Sequence, residues 1–285
     1  MPFESSDAYR VFADSVKHDR RFIYDLYVNQ FLDAVAETSS ARMETLKAGS
    51  KLWRAQLGSR WDVRDKGTPA EMEVEIPYFE ERMKPLPSLV TDGRANPRGI
   101  AYLYLADSEA TAGSELRPWL GASISMSIFL VHRDLQIVNC TSDKKRWPFK
   151  GFNAEMTGTI PWGLQEYESV VWGDIADAMS TPYNPEQVSL NYVPTQVISE
   201  RLRHAGADGI AYRSLLAPGG TNFVLFDIRD TDPINFILFE AEKVSYRFSQ
   251  LDNPYFSKKY LDLKSDKSAA TPDTQLSAKS KDPTK

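Results

Sequence analysis

The sequence predicts an α+β fold, because short strand-like runs alternate with helical stretches and turn signals fall between them. The runs IAYLYLA (100–106), SISMSIFLV (123–131), LQIVNC (135–140) and GIAYRS (209–214) have strand length, whereas 21–38, 162–179 and 194–204 carry helical stripes. This alternation leaves the choice among α+β arrangements open.

Composition sets outer limits. A chain of 285 residues with 42% hydrophobic content can bury a substantial core as one large domain with appendages or as two small ones. Thirty-four basic against thirty-nine acidic residues give a net charge of −5, which offers no global attraction for nucleic acid or anionic lipid. No nucleic-acid or membrane partner is therefore expected. Cys140 is the only cysteine, and His18, His132 and His204 lack metal-ligand spacing, so neither a disulfide nor a metal site is expected. The start MPFESSDAYR has no apolar run and no eighteen apolar residues stand together, so the expected location is cytoplasmic.

Residues 1–50 read as a helical N-terminal extension in which Phe22, Leu26, Phe31 and Val35 share one stripe. Such a stripe covers the core, or else forms the surface of a homodimer or partner complex. LWRAQLG (52–58) alternates as a first strand and carries Arg54, whose plain reading is a salt-bridge partner. The insertion 59–90 is longer than a connector and reads as a lid, a docking segment or a surface loop.

The chain is organised around 91–118. Asp92-Gly93 and Asn96-Pro97 are turn signals that hold Arg94 on a tight loop. Along 100–106 the two-residue period puts Ile100, Tyr102 and Tyr104 on one face. Ser108 can cap a short helix that ends before Pro118 and places Glu115 on a rigid element, while Ala110, Ala112 and Gly113 let that helix approach a sheet. A guanidinium forks onto a diphosphate, a tyrosine stacks on a flat heterocycle, and a carboxylate accepts from a ribose hydroxyl beside a positive centre. A nicotinamide dinucleotide offers those groups.

After Pro118, 123–131 and 135–140 read as strands, with the serine face of the first either solvated or turned toward a polar pocket. Ser125 and Ser127 lack a nucleophile elbow or histidine partner, and Cys140 reads as packing. Lys144, Lys145 and Arg146 form a small basic turn. Helix 162–179 turns Leu164, Val170, Val171, Ile175 and Met179 inward. The next helix starts near Pro194, turns Val197, Ile198 and Leu202 inward and ends at a left-handed Gly206. GIAYRS delivers Ser214 to a strand end, where a ligand hydrogen bond suits it better than nucleophilic chemistry, and APGGTNFVLF returns as its hairpin partner. A last strand is expected over 236–248, and the polar tail beyond 262 is expected to be disordered.

Gly93-Arg94, Asn96, Gly99, Tyr104 and Glu115, with ten residues from Arg94 to Tyr104 and eleven more to Glu115, resemble the core pattern of the RES-domain family of toxins. The resemblance continues through 196–226 with Ser214 and Asn222, and spans roughly 52–226. It implies an ADP-ribosyltransferase-like split β-sheet core behind the N-terminal helical extension, with domain limits 1–50, 51–245 and 246–285. It implies a toxin-like enzyme that degrades NAD+ by cleaving the nicotinamide–ribose bond, by hydrolysis or phosphorolysis. NAD+ is then substrate, no cofactor is required, and a cognate antitoxin or immunity protein is the expected partner. Carried over position by position, Glu115, Arg94 and Tyr104 are the catalytic set, and Arg54, Ser214 and Asn222 bind substrate. A mono-ADP-ribosyltransferase and a catalytically inert binding module are the alternatives.

Overall fold

The structure, a computed structural model, describes residues 3–141, 164–183, 188–246, 248–251 and 254–255. The chain divides into two units, Met1–Val244 and Ser245–Lys285, and the elements below belong to the first. In order they are α1 (Ala8–His18), α2 (Leu26–Ser39), β1 (Met43–Leu46), β2 (Lys51–Leu57), β3 (Arg60–Arg64), β4 (Met72–Ile76), α3 (Glu80–Met83), β5 (Leu103–Ala106), α4 (Glu109–Glu115), β6 (Ser123–Val131), β7 (Leu135–Cys140), α5 (Leu164–Ser180), α6 (Val188–His204), β8 (Gly209–Arg213), β9 (Thr221–Leu225), β10 (Thr231–Pro233) and β11 (Ile237–Glu240).

The α+β class holds, and the sheet is split. Nine strands run in the order β1-β7-β8-β9-β5-β2-β6-β10, with β11 also on β6. Between β5 and β2 the ladder narrows to one residue pair, Trp53 opposite Ala106. On one side lie β1, β7, β8, β9 and β5; on the other, β2, β6, β10 and β11. Arg54 reinforces this seam, donating from Nη1 to the Tyr104 carbonyl at 2.8 Å.

The two faces of the sheet are each buried by an apolar cluster, since alternate residues of β7, β8 and β9 fall in one or the other. One gathers Phe12, Phe31, Val35, Val138, Trp172, Ile175, Ile198 and Ile210 beneath the helices. The other gathers Leu52, Leu103, Phe129, Leu135, Ile137 and Leu225. Residues 1–50 belong to the first cluster, because Phe12 stacks on Phe31 at 4.3 Å and β1 pairs antiparallel with β7. The extension thus contains a strand as well as helices, and its apolar stripe is narrower than expected. Phe31 and Val35 are buried, whereas Phe22 and Leu26 are exposed near the start of α2.

The 59–90 insertion forms a β3–β4 hairpin followed by α3. Three local expectations are corrected. The serine face of β6 is neither solvated nor pocket-facing: Ser125 and Ser127 are buried, and Ser125 Oγ donates to the Gly58 carbonyl while accepting from Tyr78 N–H. Helix α6 begins at Val188 and carries Pro194 within it. The final strand is shorter than 236–248, being Ile237–Glu240, and β10 precedes it. Gly206 does close α6 with φ 97°, and α4 is capped by Ser108, whose Oγ accepts from Thr111 N–H. The basic turn 144–146, Trp162 and the tail beyond 262 lie outside the described residues, as does the side chain of Leu164.

Phe12→Ala should remove about 3–5 kcal/mol in urea unfolding, because it opens a cavity in the larger cluster. Phe22→Ala, at a side chain 94% exposed, should shift stability by less than about 0.5 kcal/mol. Equal losses at both positions would contradict the packing described.

Candidate active site

Helix α4 packs over β2, β5, β6 and β9, across the seam between the half-sheets. The close approach depends on Gly220, because a Cβ there would collide with the Thr111 side chain. Its last residue, Glu115, is exposed, and its carboxylate sits at the negative end of the helix, where the dipole disfavours it. The opposite hairpin compensates. Ser214 Oγ and Asn222 Nδ2 each donate to Glu115 Oε1 at 2.7 Å. Both donors come from residues at least nine-tenths buried. Ser214 Oγ also accepts from the N–H groups of Leu216 and Ala217, which fixes its rotamer. Asn222 stands on β9 opposite Ala106 of β5 and Tyr212 of β8, so its amide shares a face with Tyr212. One oxygen of Glu115 is thereby fixed by two donors, while Oε2 has no protein hydrogen bond among the described residues.

Arg94 stands across the same cavity. Its loop is braced from two sides. Tyr104 Oη donates to Asn96 Oδ1 at 2.7 Å and accepts from Ala95 N–H at 2.9 Å. From α6, Thr195 Oγ1 donates to the Arg94 carbonyl, and Gln196 Nε2 donates to the carbonyls of Gly93 and Asn96. Gly93 is required because a Cβ would strike Asn96 Oδ1 and Tyr104 Oη. Arg94 Nη1 donates to the carbonyls of Ala178 and Thr181, each at 2.8 Å, where α5 ends. The guanidinium carbon lies 5.1 Å from the Tyr192 ring centre and 6.0 Å from those of Tyr183 and Tyr212.

A cavity of about 470 Å³ opens between these groups, lined by Arg94, Glu115, Arg117, Tyr183, Tyr192 and Leu215 among others. That volume lies in the range of small-molecule sites. Of the six residues singled out from sequence, Arg94 and Glu115 line it, and Ser214 and Asn222 hold Glu115 from behind.

Tyr104 and Arg54 take other places. The Tyr104 hydroxyl is committed to the 93–98 loop and the side chain does not line the cavity, so it positions Arg94 rather than stacking on a ligand. Arg54 is likewise absent from the cavity wall. Burial lowers its pKa to about 10, and its Nε has no partner among the described residues.

Sequence reasoning missed Arg117, Tyr183, Tyr192, Thr195 and Gln196. Tyr183 lies within the break at 181–187, which contains two prolines, and Tyr192 lies beyond it; the break marks a loop but not what it faces. Among the described residues no cluster of three or more His, Cys, Asp or Glu side chains could hold a metal. No helix among them is long and apolar enough to cross a membrane.

Burial pushes the phenols of Tyr104 and Tyr212 above the ordinary tyrosine value. An unfolded tyrosine releases its proton near pH ~10 while these retain theirs, so their stabilising effect is complete below that pH and is lost as pH rises beyond it. Arg54 acts in the opposite sense above about pH 10, because burial lowers its folded pKa. Tyr104→Phe should therefore make the alkaline fall in stability shallower than in the unaltered protein, measured as urea midpoints from pH 9 to 11. An equally steep fall would contradict the burial of this hydroxyl.

Residues 51–249 match the family model described as the RES domain. No curated protein matches the chain. Among solved structures, a similar chain occurs in the crystal structure of the M. tuberculosis MbcT–MbcA toxin–antitoxin complex, with 15% identity, a TM-score of 0.38, and coverage of 73% of this chain and 92% of that chain. Since the family match takes in well over half of the 285 residues, including Glu115, Ser214 and Asn222, the chain belongs to the RES-domain family.

Proposed function

We propose that this protein is a toxin-like enzyme that degrades NAD+ by breaking the bond between nicotinamide and ribose. The observation that carries this reading is Glu115 on the cavity wall, with Oε1 fixed by Ser214 and Asn222. When the C1′–N1 bond breaks, its electron pair passes to the ring nitrogen, and cationic nicotinamide leaves as a neutral base. Little acid catalysis is needed at the leaving group. The group that needs stabilising is the oxocarbenium-like ribose, as in other glycosidic cleavages.

Glu115 supplies that stabilisation through Oε2, which accepts from a ribose hydroxyl and sets negative charge beside C1′. The carboxylate is held by two donors before substrate arrives, so reorientation costs little at the moment of reaction. The Tyr183 and Tyr192 rings offer faces on which a flat base can stack. Water at C1′ gives ADP-ribose, nicotinamide and a proton; inorganic phosphate gives the phosphorylated sugar instead. A cytoplasmic site of action and control by a cognate antitoxin or immunity protein complete the reading.

One observation favours a second acceptor. Leu215 and Leu216 line the cavity with exposures of 51% and 37%, and an apolar rim of this kind suits a docked protein side chain. The protein would then be a mono-ADP-ribosyltransferase.

Pure protein incubated with NAD+ should release free nicotinamide, with the second product identified by mass spectrometry with and without phosphate or a protein acceptor. Glu115→Gln, nearly isosteric but uncharged, should lower kcat by about 10²-fold or more and leave the unfolding free energy from urea titration within about 0.5 kcal/mol of the parent. Nicotinamide release by Glu115→Gln at the parental rate would overturn the assignment.

A further inference from the structure

The cavity contains two guanidinium groups, and the structure engages them differently. Arg94 is held by protein: Nη1 donates to two carbonyls at the end of α5, and tyrosine rings surround the group. Those contacts anchor α5 and α6 to the 93–98 loop and commit Nη1 of Arg94 to protein carbonyls. A diphosphate oxygen at Nη1 would compete with both carbonyls for that donor.

Arg117 lies two residues beyond Glu115, is exposed, and lines the same cavity. Among the described residues its side chain has no hydrogen bond and no ion pair; only its backbone N–H is engaged, by the Ser114 carbonyl at 3.0 Å. Its backbone stands at φ 49°, in the left-handed region that disfavours residues with a Cβ. Pro118 follows, and a residue before proline prefers extended backbone, so two local preferences are overridden together. Backbone held in this way at a cavity wall is a recurrent property of ligand clamps. A free guanidinium offers five donors in a planar fork matched to phosphate oxygens.

We infer that Arg117, whose whole guanidinium fork faces the cavity uncommitted, takes phosphate charge of a nucleotide bound there, the ligand class being a nucleoside diphosphate or its sugar ester. This rests on the nucleotide part of the reading above and not on the cleavage step. Glu115 then meets the sugar while its neighbour two residues on meets the diphosphate, so one short turn carries both recognition charges.

The test is calorimetric binding of ADP-ribose to the parent, Arg117→Ala and Arg117→Lys proteins, at low and high salt. Arg117→Ala should weaken binding at least about tenfold and flatten its salt dependence, because one phosphate contact is gone. Arg117→Lys should recover part of the loss, since the charge returns without the fork. Unchanged urea midpoints should accompany both, as the side chain is exposed.

Binding by Arg117→Ala within twofold of the parent, or no binding of ADP-ribose to the parent at millimolar concentration, would overturn the inference. Nicotinamide release followed in the same preparations separates the two claims. Arg117-dependent binding without NAD+ cleavage upholds the inference and removes the cleavage reading. NAD+ cleavage with an unaltered KM in Arg117→Ala does the reverse.

Discussion

The site depends on one carboxylate oxygen held by two neutral donors. Glu115 Oε1 accepts from Ser214 and Asn222 at the same distance of 2.7 Å, and neither donor can follow if the acceptor moves. Ser214 is tied into the turn it begins, and Asn222 stands near the start of β9, which is paired on both sides by β5 and β8. Hydrogen bonds to a charged acceptor are shorter and stronger than neutral ones, which offsets the unfavourable position of an acidic residue at a helix C-terminus. The carboxylate is oriented from the sheet, although it is carried by the helix.

That arrangement constrains the rest of the fold. Helix α4 can bring Glu115 to the β8–β9 hairpin only by crossing the seam where the two half-sheets meet at a single residue pair. Arg54 holds the seam through the Tyr104 carbonyl, and the Tyr104 hydroxyl in turn holds the loop of Arg94. A chain of contacts thus runs from β2 through β5 to the opposite wall of the cavity. The N-terminal helices and β1 lie outside the matched family segment yet supply Phe12, Phe31 and Val35 to the larger core, so the wall rests on them as well.

Much of this was legible in the sequence where the signals are local. The Gly93 and Pro97 turn, the Ser108 cap, the Gly206 cap and the β8–β9 hairpin each follow from short-range stereochemistry, and each is found. Glu115, Ser214 and Asn222 were all singled out, although that they meet depends on tertiary packing. The misreadings share a cause. Tyr104 was placed on the correct face of its strand, but a two-residue period does not tell what the hydroxyl reaches. The β6 serines alternate as a solvated face would, yet Ser125 and Ser127 are buried, with Ser125 bonded to Gly58 and Tyr78. Pro194 marks a helix start by local rule, whereas packing of α6 on α1 and α2 carries the helix through it. Arg117 gave no signal, because φ 49° before a proline is not something its side chain or neighbours announce.

The most direct measurement is a double-mutant comparison on nicotinamide release. Ser214→Ala and Asn222→Ala are combined, once with Glu115 intact and once together with Glu115→Gln. With the carboxylate present, loss of both donors should lower kcat by about 10–100-fold with KM little changed. With the carboxylate already removed, the same pair should have almost no further effect, because their role is to hold that one oxygen. Equal losses in both backgrounds would show that Ser214 and Asn222 act independently of Glu115 and would contradict the account.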